Sequence, residues 1–171
     1  MTAMMRQIHK QTLTMACVVL AILAATLSPP VALADSLITT IVTDPLTGVA
    51  IEGMDPVSYF TEAAPEPGKP DFEYDWKGVP WYFASAANRD VFIGAPDIYA
   101  PQFGGHCAMS LSRGYLSDGN PQIYAVVAAR LYVFYSVANR EAFLLSPGVA
   151  IKDATSHWAV LSKQLATTAT P

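Results

Sequence analysis

Hydrophobic and polar positions alternate in four short stretches of the chain. The stretches FEYDW and VPWYFAS flank Lys77-Gly78, and the stretches IYAVV and LYVFYS flank residues 128–130. Alternation with a period of two is typical of strands that bury one face, and a short link between two such strands favours a hairpin. The pattern therefore predicts two β-hairpins.

A repeat joins each predicted hairpin to a helix. Residues 81–96 read WYFASAANRDVFIGAP and residues 132–147 read YVFYSVANREAFLLSP, at an offset of 51. In each copy a serine can cap the following helix, and a proline ends that helix about eleven residues later. The shared residues are Phe83 and Phe134, Ser85 and Ser136, Ala87 and Ala138, Asn88 and Asn139, Arg89 and Arg140, Phe92 and Phe143, and Pro96 and Pro147. Two ββα units are predicted, with the two arginines either binding an anion or pairing with a nearby carboxylate.

Local signals predict two further helices. Asp55-Pro56 has the form of a cap followed by proline at the first helical position, which favours a short helix over DPVSYF. Residues 61–71 form a proline-rich loop, and residues 149–165 carry apolar side chains at helical spacing. The expected fold class is α+β: a small single domain built from two ββα units with a C-terminal packing helix.

The first 34 residues have the layout of a secretory signal. Arg6 and Lys10 precede the apolar run ACVVLAILAATL and a small-x-small site, so we expect cleavage after Ala34 and a periplasmic or secreted protein. The run is shorter than the roughly 20 residues that span a bilayer, so retention as an anchor is the less favoured alternative, and no stable membrane span is expected after cleavage. The expected boundaries are a signal at 1–34, an extension at 35–49, the domain at 50–166 and a frayed tail at 167–171.

Charge and cysteine content narrow the class of protein. The chain has 10 basic and 14 acidic residues, and removal of the signal would make it more acidic than its formal net charge of −4. No basic stripe is present that could displace counterions from phosphates, so nucleic acid is not an expected partner. Removal of the signal also removes Cys17, and the remaining Cys107 has no second cysteine for an internal disulfide.

Three interpretations of Cys107 remain open. As a metal ligand it would act with His106, Met109 and His157, a soft set that suits cuprous copper better than four-coordinate zinc. As a nucleophile it would use His157 as a base and the N–H groups after Gly104 as an oxyanion site. As a structural residue it would be a small buried side chain, since free cysteine is among the most buried residue types.

Several residues near Cys107 are candidates for contact with a small molecule. Aromatic side chains crowd the first half of the chain, and some of them can line a pocket capped by the loop GGHCAM. The alternative is that these side chains form the core, with tyrosine hydroxyls reaching the surface. The candidate ligand-binding residues are Gly104 and Gly105 in the cap, Ser112 and Arg113 as groups that orient a small anion, and Tyr59 and Tyr82 in the wall.

Three segments of the chain read GMDPVSYF, YDWKGVPWYFASAANRDVFIGAPDIYAPQFGGHCAMSLSRG and LYVFYS. Together they resemble the YHS-domain family, specifically its exported single-domain branch, and the resemblance covers about residues 50–160. It implies a compact α+β module of hairpins and short helices. Metal-associated members carry cysteines at positions where this chain has Ser58, Ala84 and Asn88, so the resemblance does not carry over the usual metal site.

The expected function is that of an exported, non-enzymatic, YHS-like binding module that holds its ligand near the GGHCAM loop. Its partner would be a small molecule or a metal ion, with copper the best specified metal. The alternatives from other classes are a thiol-dependent enzyme with Cys107 as nucleophile and a structural partner in an envelope assembly.

Overall fold

The computed structural model describes residues 40–168, and these residues form the predicted α+β fold. Two antiparallel two-stranded sheets are present among them: β1 (Lys69–Trp76) pairs with β2 (Val79–Phe83), and β3 (Asn120–Val127) pairs with β4 (Arg130–Phe134). The α-helices of this part of the chain are α1 (Ser58–Thr61), α2 (Ala86–Gly94), α3 (Pro96–Tyr99), α4 (Ala108–Ser112), α5 (Val137–Leu145) and α6 (Pro147–Thr168). Short 3₁₀ turns cover Ile51–Gly53 and Gln102–Gly105. The predicted signal segment lies outside the described residues.

The two hairpins share one register. Lys69 faces Phe83 in the first and Asn120 faces Phe134 in the second, and each hairpin has a bulge just after this pair. The register shifts between Lys69 and Glu73 in the first hairpin and between Asn120 and Tyr124 in the second, and this shared irregularity confirms the predicted repeat in backbone detail.

Both hairpins close with a two-residue turn in the left-handed region. The φ angles are 53° at Lys77 and 74° at Gly78, and 50° at Ala128 and 54° at Ala129. Arg130 begins β4, so the expectation of a three-residue link in the second hairpin was wrong. A type I′ turn has positive φ at both central residues and matches the twist of the strands.

The predicted serine caps are confirmed. Ser85 Oγ accepts a hydrogen bond from the N–H of Asn88 at 3.2 Å, and Ser136 Oγ accepts one from the N–H of Asn139 at 3.2 Å. The arginines that follow pair with the carboxylate of the next residue, Arg89 with Asp90 at 3.4 Å and Arg140 with Glu141 at 2.9 Å. These pairs agree with the carboxylate-pairing alternative. Pro96 and Pro147 each begin the next helix rather than only ending the previous one.

The repeat extends upstream of the hairpins, which sequence comparison at a single offset did not reveal. The 3₁₀ turns before α1 and α4 each contain three consecutive residues with positive φ, residues 51–53 and residues 103–105. The N–H of Asp55 then bonds Glu66 O at 2.8 Å, and the N–H of Cys107 bonds Ser117 O at 2.8 Å. Asp55 and Cys107 are therefore equivalent positions. The short helix begins only at Ser58, so the prediction that proline opens it was wrong.

Each ββα unit has its own apolar core. Phe83 and Phe92 are fully buried in the first, with ring centroids 5.1 Å apart. Phe134 and Phe143 are fully buried in the second, with ring centroids 5.0 Å apart, and Cys107 packs in the same cluster.

Helix α6 and the start of the described chain close the domain. The helix packs against α4, as predicted for a C-terminal amphipathic segment. Residues 40–50 lie against the domain, because the N–H of Val42 bonds Gly104 O at 2.8 Å and the N–H of Ala50 bonds Pro80 O at 3.0 Å. No helix within residues 40–168 is both long and apolar enough to cross a membrane.

Candidate functional site

Asp55 occupies a buried site that supplies three hydrogen-bond donors. Its carboxylate accepts hydrogen bonds from the N–H groups of Val57 and Ala84, each at 2.8 Å, and from Nδ2 of Asn88 at 2.6 Å. The residue is fully buried, so these bonds offset the cost of removing the carboxylate from water. We call this arrangement the first acceptor site.

Cys107 occupies the second acceptor site, the equivalent place in the second copy. It is fully buried, and Asn139, the counterpart of Asn88, donates a hydrogen bond from Nδ2 to its Sγ at 3.4 Å. The backbone N–H of Tyr135, the counterpart of Ala84, is a further donor to the sulfur. A sulfur atom therefore stands where the first copy has a carboxylate.

The donors around Cys107 change its acidity. Burial raises the pKa of the thiol, but hydrogen bonds from Ser110, Tyr135 and Asn139 outweigh burial and bring the pKa below its ordinary value. These donors favour the thiolate, which is the nucleophilic and metal-binding form of cysteine. Because the residue has no exposed surface, a reagent reaches the sulfur only when the surrounding structure opens.

Arg113 positions the amide of Asn139. Its Nη1 donates a hydrogen bond to Asn139 Oδ1 at 3.2 Å, which leaves Nδ2 directed at the sulfur of Cys107. The sequence suggested that Arg113 and Ser112 orient an anionic ligand. The structure places Arg113 against Asn139, and it places Ser112, half-buried, at the end of α4.

His106 has surroundings different from those of Cys107. Its ring centroid lies 5.4 Å from that of Trp158, and its Nδ1 lies 3.5 Å from a carboxylate oxygen of Asp118. This buried Nδ1 has no hydrogen-bond partner among residues 40–168. Burial lowers the pKa of the imidazole below its ordinary value, against the opposing effect of Asp118.

The other proposed copper ligands also have partners of their own. His157 is exposed on α6, and its Nδ1 faces Leu111 O at 2.8 Å, so this nitrogen carries the proton. Met109 is half-buried against the second core. In the part of the chain that the structure describes, no three histidine, cysteine or carboxylate side chains are grouped so that they could hold a metal ion. A copper site on His106, Cys107, Met109 and His157 stays a prediction without a coordinating geometry.

The two tyrosines proposed as pocket walls have structural contacts. Tyr59 is buried and donates a hydrogen bond from its hydroxyl to Pro121 O at 2.9 Å, and burial raises the pKa of this phenol well above its ordinary value. Tyr82 is half-buried beside Gly53 and Gly68. Tyr59 therefore joins the first copy to the second, whereas Tyr82 packs within the first copy.

The two proposed glycines have different positions. Gly105 O accepts a hydrogen bond from Gly119 N at 3.0 Å, so it fixes the loop within the second copy. Gly104 has a φ of 63°, and a side chain there would collide with the carbonyl oxygen of Thr40. Among the proposed ligand-binding residues, Gly104 lines a cleft with aromatic walls.

This tryptophan cleft gathers all three tryptophans of the chain. It has a volume of about 230 Å³, and its wall contains the rings of Trp76, Trp81, Trp158 and Phe103 together with the backbone of residues 100–104. Trp81 is almost fully buried and forms the floor, whereas Trp76 and Trp158 are half-buried. The volume is below the roughly 300 to 1,000 Å³ typical of pockets for drug-sized compounds, so the cleft suits a small compound.

One cation and one carboxylate lie at the cleft. Lys77 Nζ lies 4.1 Å from the ring centroid of Trp76, and it lies 3.5 Å from Asp97 Oδ1. Both charged side chains are well exposed, at 59% and 84% of their full side-chain surface. An ion pair with this exposure contributes about 1 kcal/mol or less, so a ligand can displace it at little cost.

The second copy has neither the tryptophans nor the charged pair at the equivalent positions. At the same offset of 51, Val127 corresponds to Trp76, Ala128 to Lys77, Tyr132 to Trp81 and Gly148 to Asp97. The backbone does not require these side chains, because the same hairpin forms without them. The cleft is therefore a feature added to one copy of a shared scaffold.

The sequence offered, as one alternative, a pocket of first-half aromatic side chains capped by the loop GGHCAM, but it did not bring Trp158 to that pocket, because the walls of the cleft are far apart in the chain. Trp76 and Trp81 belong to one hairpin, whereas Trp158 lies on α6. The available signal was the difference between the copies, since tryptophan replaces smaller residues only in the first.

Comparisons with known proteins do not assign the chain to a family. Protein-family models, curated proteins and solved structures were each compared with it, and none of them matches. The resemblance to YHS domains therefore stays a prediction, and any function is argued from the two acceptor sites and the tryptophan cleft.

Proposed function

We propose that the protein is an exported, YHS-like binding module that holds a small molecule in the tryptophan cleft and catalyses no reaction there. The observation that carries this proposal is the convergence of Trp76, Trp81 and Trp158 on one small concave surface. Its four aromatic side chains offer apolar contact, and Lys77 and Asp97 are charged groups that can fix the orientation of a ligand.

The difference between the two copies supports binding over a purely structural role. If the tryptophans only filled a core, the second copy would be expected to carry equally large aromatic side chains at the same positions, because the two copies share one scaffold. Trp158 instead packs its edge on Phe103 at a centroid distance of 6.2 Å and remains half-exposed at the cleft. Half-exposed tryptophans are costly to hydrate and are enriched at binding surfaces.

Tryptophan fluorescence tests the proposal, since every fluorescent indole of the chain lies at the cleft. Titration with choline, glucose and benzoate samples a cationic, a neutral and an anionic compound. We expect a saturable change with at least one of them, and we expect Trp158→Phe to weaken it. Tyr132→Phe, at the second-copy counterpart of Trp81, is the matched control and should leave it unchanged. No saturable response to any of the three, or a response indifferent to Trp158→Phe, would overturn the proposal.

A second candidate function is thiol chemistry at Cys107. The observation that favours it is that two donors to the sulfur, the amide of Asn139 and the N–H of Tyr135, are the counterparts of two donors that hold a carboxylate in the first copy. Neither His106 nor His157 is among the hydrogen-bond donors to the sulfur within residues 40–168. This candidate therefore rests on a stabilised thiolate alone.

Alkylation kinetics test this second candidate. The rate of iodoacetamide modification of Cys107 in the folded protein should rise with pH around a midpoint below the ordinary thiol pKa, because the donors stabilise the thiolate. Asn139→Ala removes one donor and should raise the midpoint, while Asn88→Ala in the first copy should leave it in place. Modification only after unfolding would assign Cys107 a packing role instead.

A further inference from the structure

We infer that the ligand of the tryptophan cleft is a small organic ammonium ion. This inference rests on the proposed function, and it names the chemical class of the ligand. The site would consist of the aromatic faces of Trp76, Trp158 and Phe103 over the floor formed by Trp81, with the Asp97 carboxylate at the mouth.

The protein already places an ammonium group in this site. Lys77 Nζ sits over the face of Trp76 at 4.1 Å from the ring centroid, within the distance of about 6 Å at which a cation is attracted by the ring. The same nitrogen lies 3.5 Å from Asp97 Oδ1. The position next to one aromatic face and one carboxylate is therefore sterically and electrostatically suited to an alkylammonium group.

The Lys77 side chain is a weak occupant of that position. More than half of its surface is exposed, and its ion pair with Asp97 is exposed as well. A compact ligand cation can enter the cleft while the lysine extends into solvent, which frees the face of Trp76. A quaternary ammonium ion suits the apolar walls better than lysine does, because its methyl groups shed water at lower cost than an ammonium N–H group.

The charges of the site favour a cation over an anion. Aromatic rings present negative potential at their faces, and several rings line the cleft. Lys77 is the cation at the cleft, and Asp97 already offsets its charge. The chain has a formal net charge of −4, which also attracts cations at long range.

A matched ligand pair isolates the contribution of charge. Choline and 3,3-dimethylbutan-1-ol have nearly the same shape, but only choline carries a positive charge. Titration of the purified protein with each, followed by calorimetry and tryptophan fluorescence, should show choline binding at least about twofold more tightly, as cation–π attraction of about 0.5 to 2 kcal/mol implies.

Substitutions at the two charged residues give opposite expectations. Lys77→Asn removes the internal competitor and should tighten choline binding, and its asparagine keeps the turn because Asn-Gly is the preferred type I′ sequence. Asp97→Asn removes the carboxylate and should weaken choline binding. Lys69→Gln, which removes a charge outside the cleft, should have no more than a small effect.

The outcomes separate this inference from the proposed function. Equal or tighter binding of the neutral alcohol, or loss of binding in Lys77→Asn, would overturn the ammonium inference while leaving small-molecule binding in place. Binding of glucose or benzoate without choline would do the same. Absence of any saturable response to all four compounds would overturn both.

Discussion

Two side chains of different chemistry, Asp55 and Cys107, occupy equivalent buried positions in this protein. Each accepts a hydrogen bond from the side-chain amide of an asparagine on the helix that follows the hairpin. Each also accepts one from a backbone N–H in the turn before that helix. A buried acceptor with such donors holds the loop to the ββα unit, because leaving the donors unpaired costs about 1–3 kcal/mol each. The position therefore requires an acceptor, and carboxylate and sulfur both meet that requirement.

Two substitutions of Asp55 test whether the position requires a hydrogen-bond acceptor rather than aspartate itself. Asp55→Ala leaves the N–H groups of Val57 and Ala84 and the amide of Asn88 unpaired and should lower the free energy of unfolding by about 3 kcal/mol or more. Asp55→Cys should cost less, because the second copy uses sulfur at this position. Urea unfolding of the two variants measures the difference, and equal losses would contradict the equivalence of the two acceptor sites.

His106 should make stability depend on pH. Burial keeps its folded-state pKa below the unfolded value of about 6.5, so the unfolded chain binds more protons as the pH falls through that value. The free energy of unfolding should therefore decrease toward acid, by up to about 1.4 kcal/mol per pH unit from this residue, until the folded-state pKa is reached.

The contribution of His106 appears as the difference between the protein and its His106→Gln variant. The variant should lose this part of the slope between pH 6.5 and more acidic pH, whereas His157→Gln, at an exposed site, should retain it. Denaturant unfolding at a series of pH values measures all three. An unchanged slope in His106→Gln would show that protonation of this histidine is not linked to folding.

At the scale of elements, the hairpins and capped helices follow from local sequence. Lys77-Gly78 and the serines at positions 85 and 136 give signals that act within a few residues, and the structure has the predicted turn and caps. The upstream part of the repeat was not predictable in the same way. Ser58 lies eight residues before Glu66, whereas its counterpart Ser110 lies seven residues before Ser117. The offset between the two copies therefore changes by one residue within this segment, and an alignment at a fixed offset does not match it.

The second hairpin turn contains a correctable strain. Ala128 and Ala129 have φ angles of 50° and 54°, a region in which a Cβ atom is unfavourable by roughly 1 kcal/mol or more. Ala129→Gly should therefore stabilise the protein by about 0.5–1 kcal/mol, despite the greater entropy of the unfolded chain. Thermal and urea unfolding check this. Gly78→Ala, the reverse change in the first hairpin, should destabilise by a similar amount, and a stabilising Gly78→Ala would contradict the account.

At the scale of the whole molecule, one scaffold is used twice with different surface chemistry. The hairpin register, the caps and the acceptor sites recur in both copies, whereas Trp76, Lys77 and Asp97 occur only in the first. The place of Trp158 in the cleft could not be predicted, because this side chain reaches the other walls only through the packing of α6, a contact between distant parts of the chain. The register, the caps and the acceptor sites maintain the fold in both copies. A ligand is expected at the tryptophan cleft, where the side chains found only in the first copy lie.

The side-chain signals of the three indole N–H groups in a ¹H–¹⁵N NMR spectrum test the ligand site most directly. Addition of choline should shift the signals of Trp76 and Trp158 along one common saturation curve, while the side-chain amide signal of Asn139, at the second acceptor site, stays in place. Indole signals that do not move while signals elsewhere in the domain do would contradict the tryptophan cleft as the binding site.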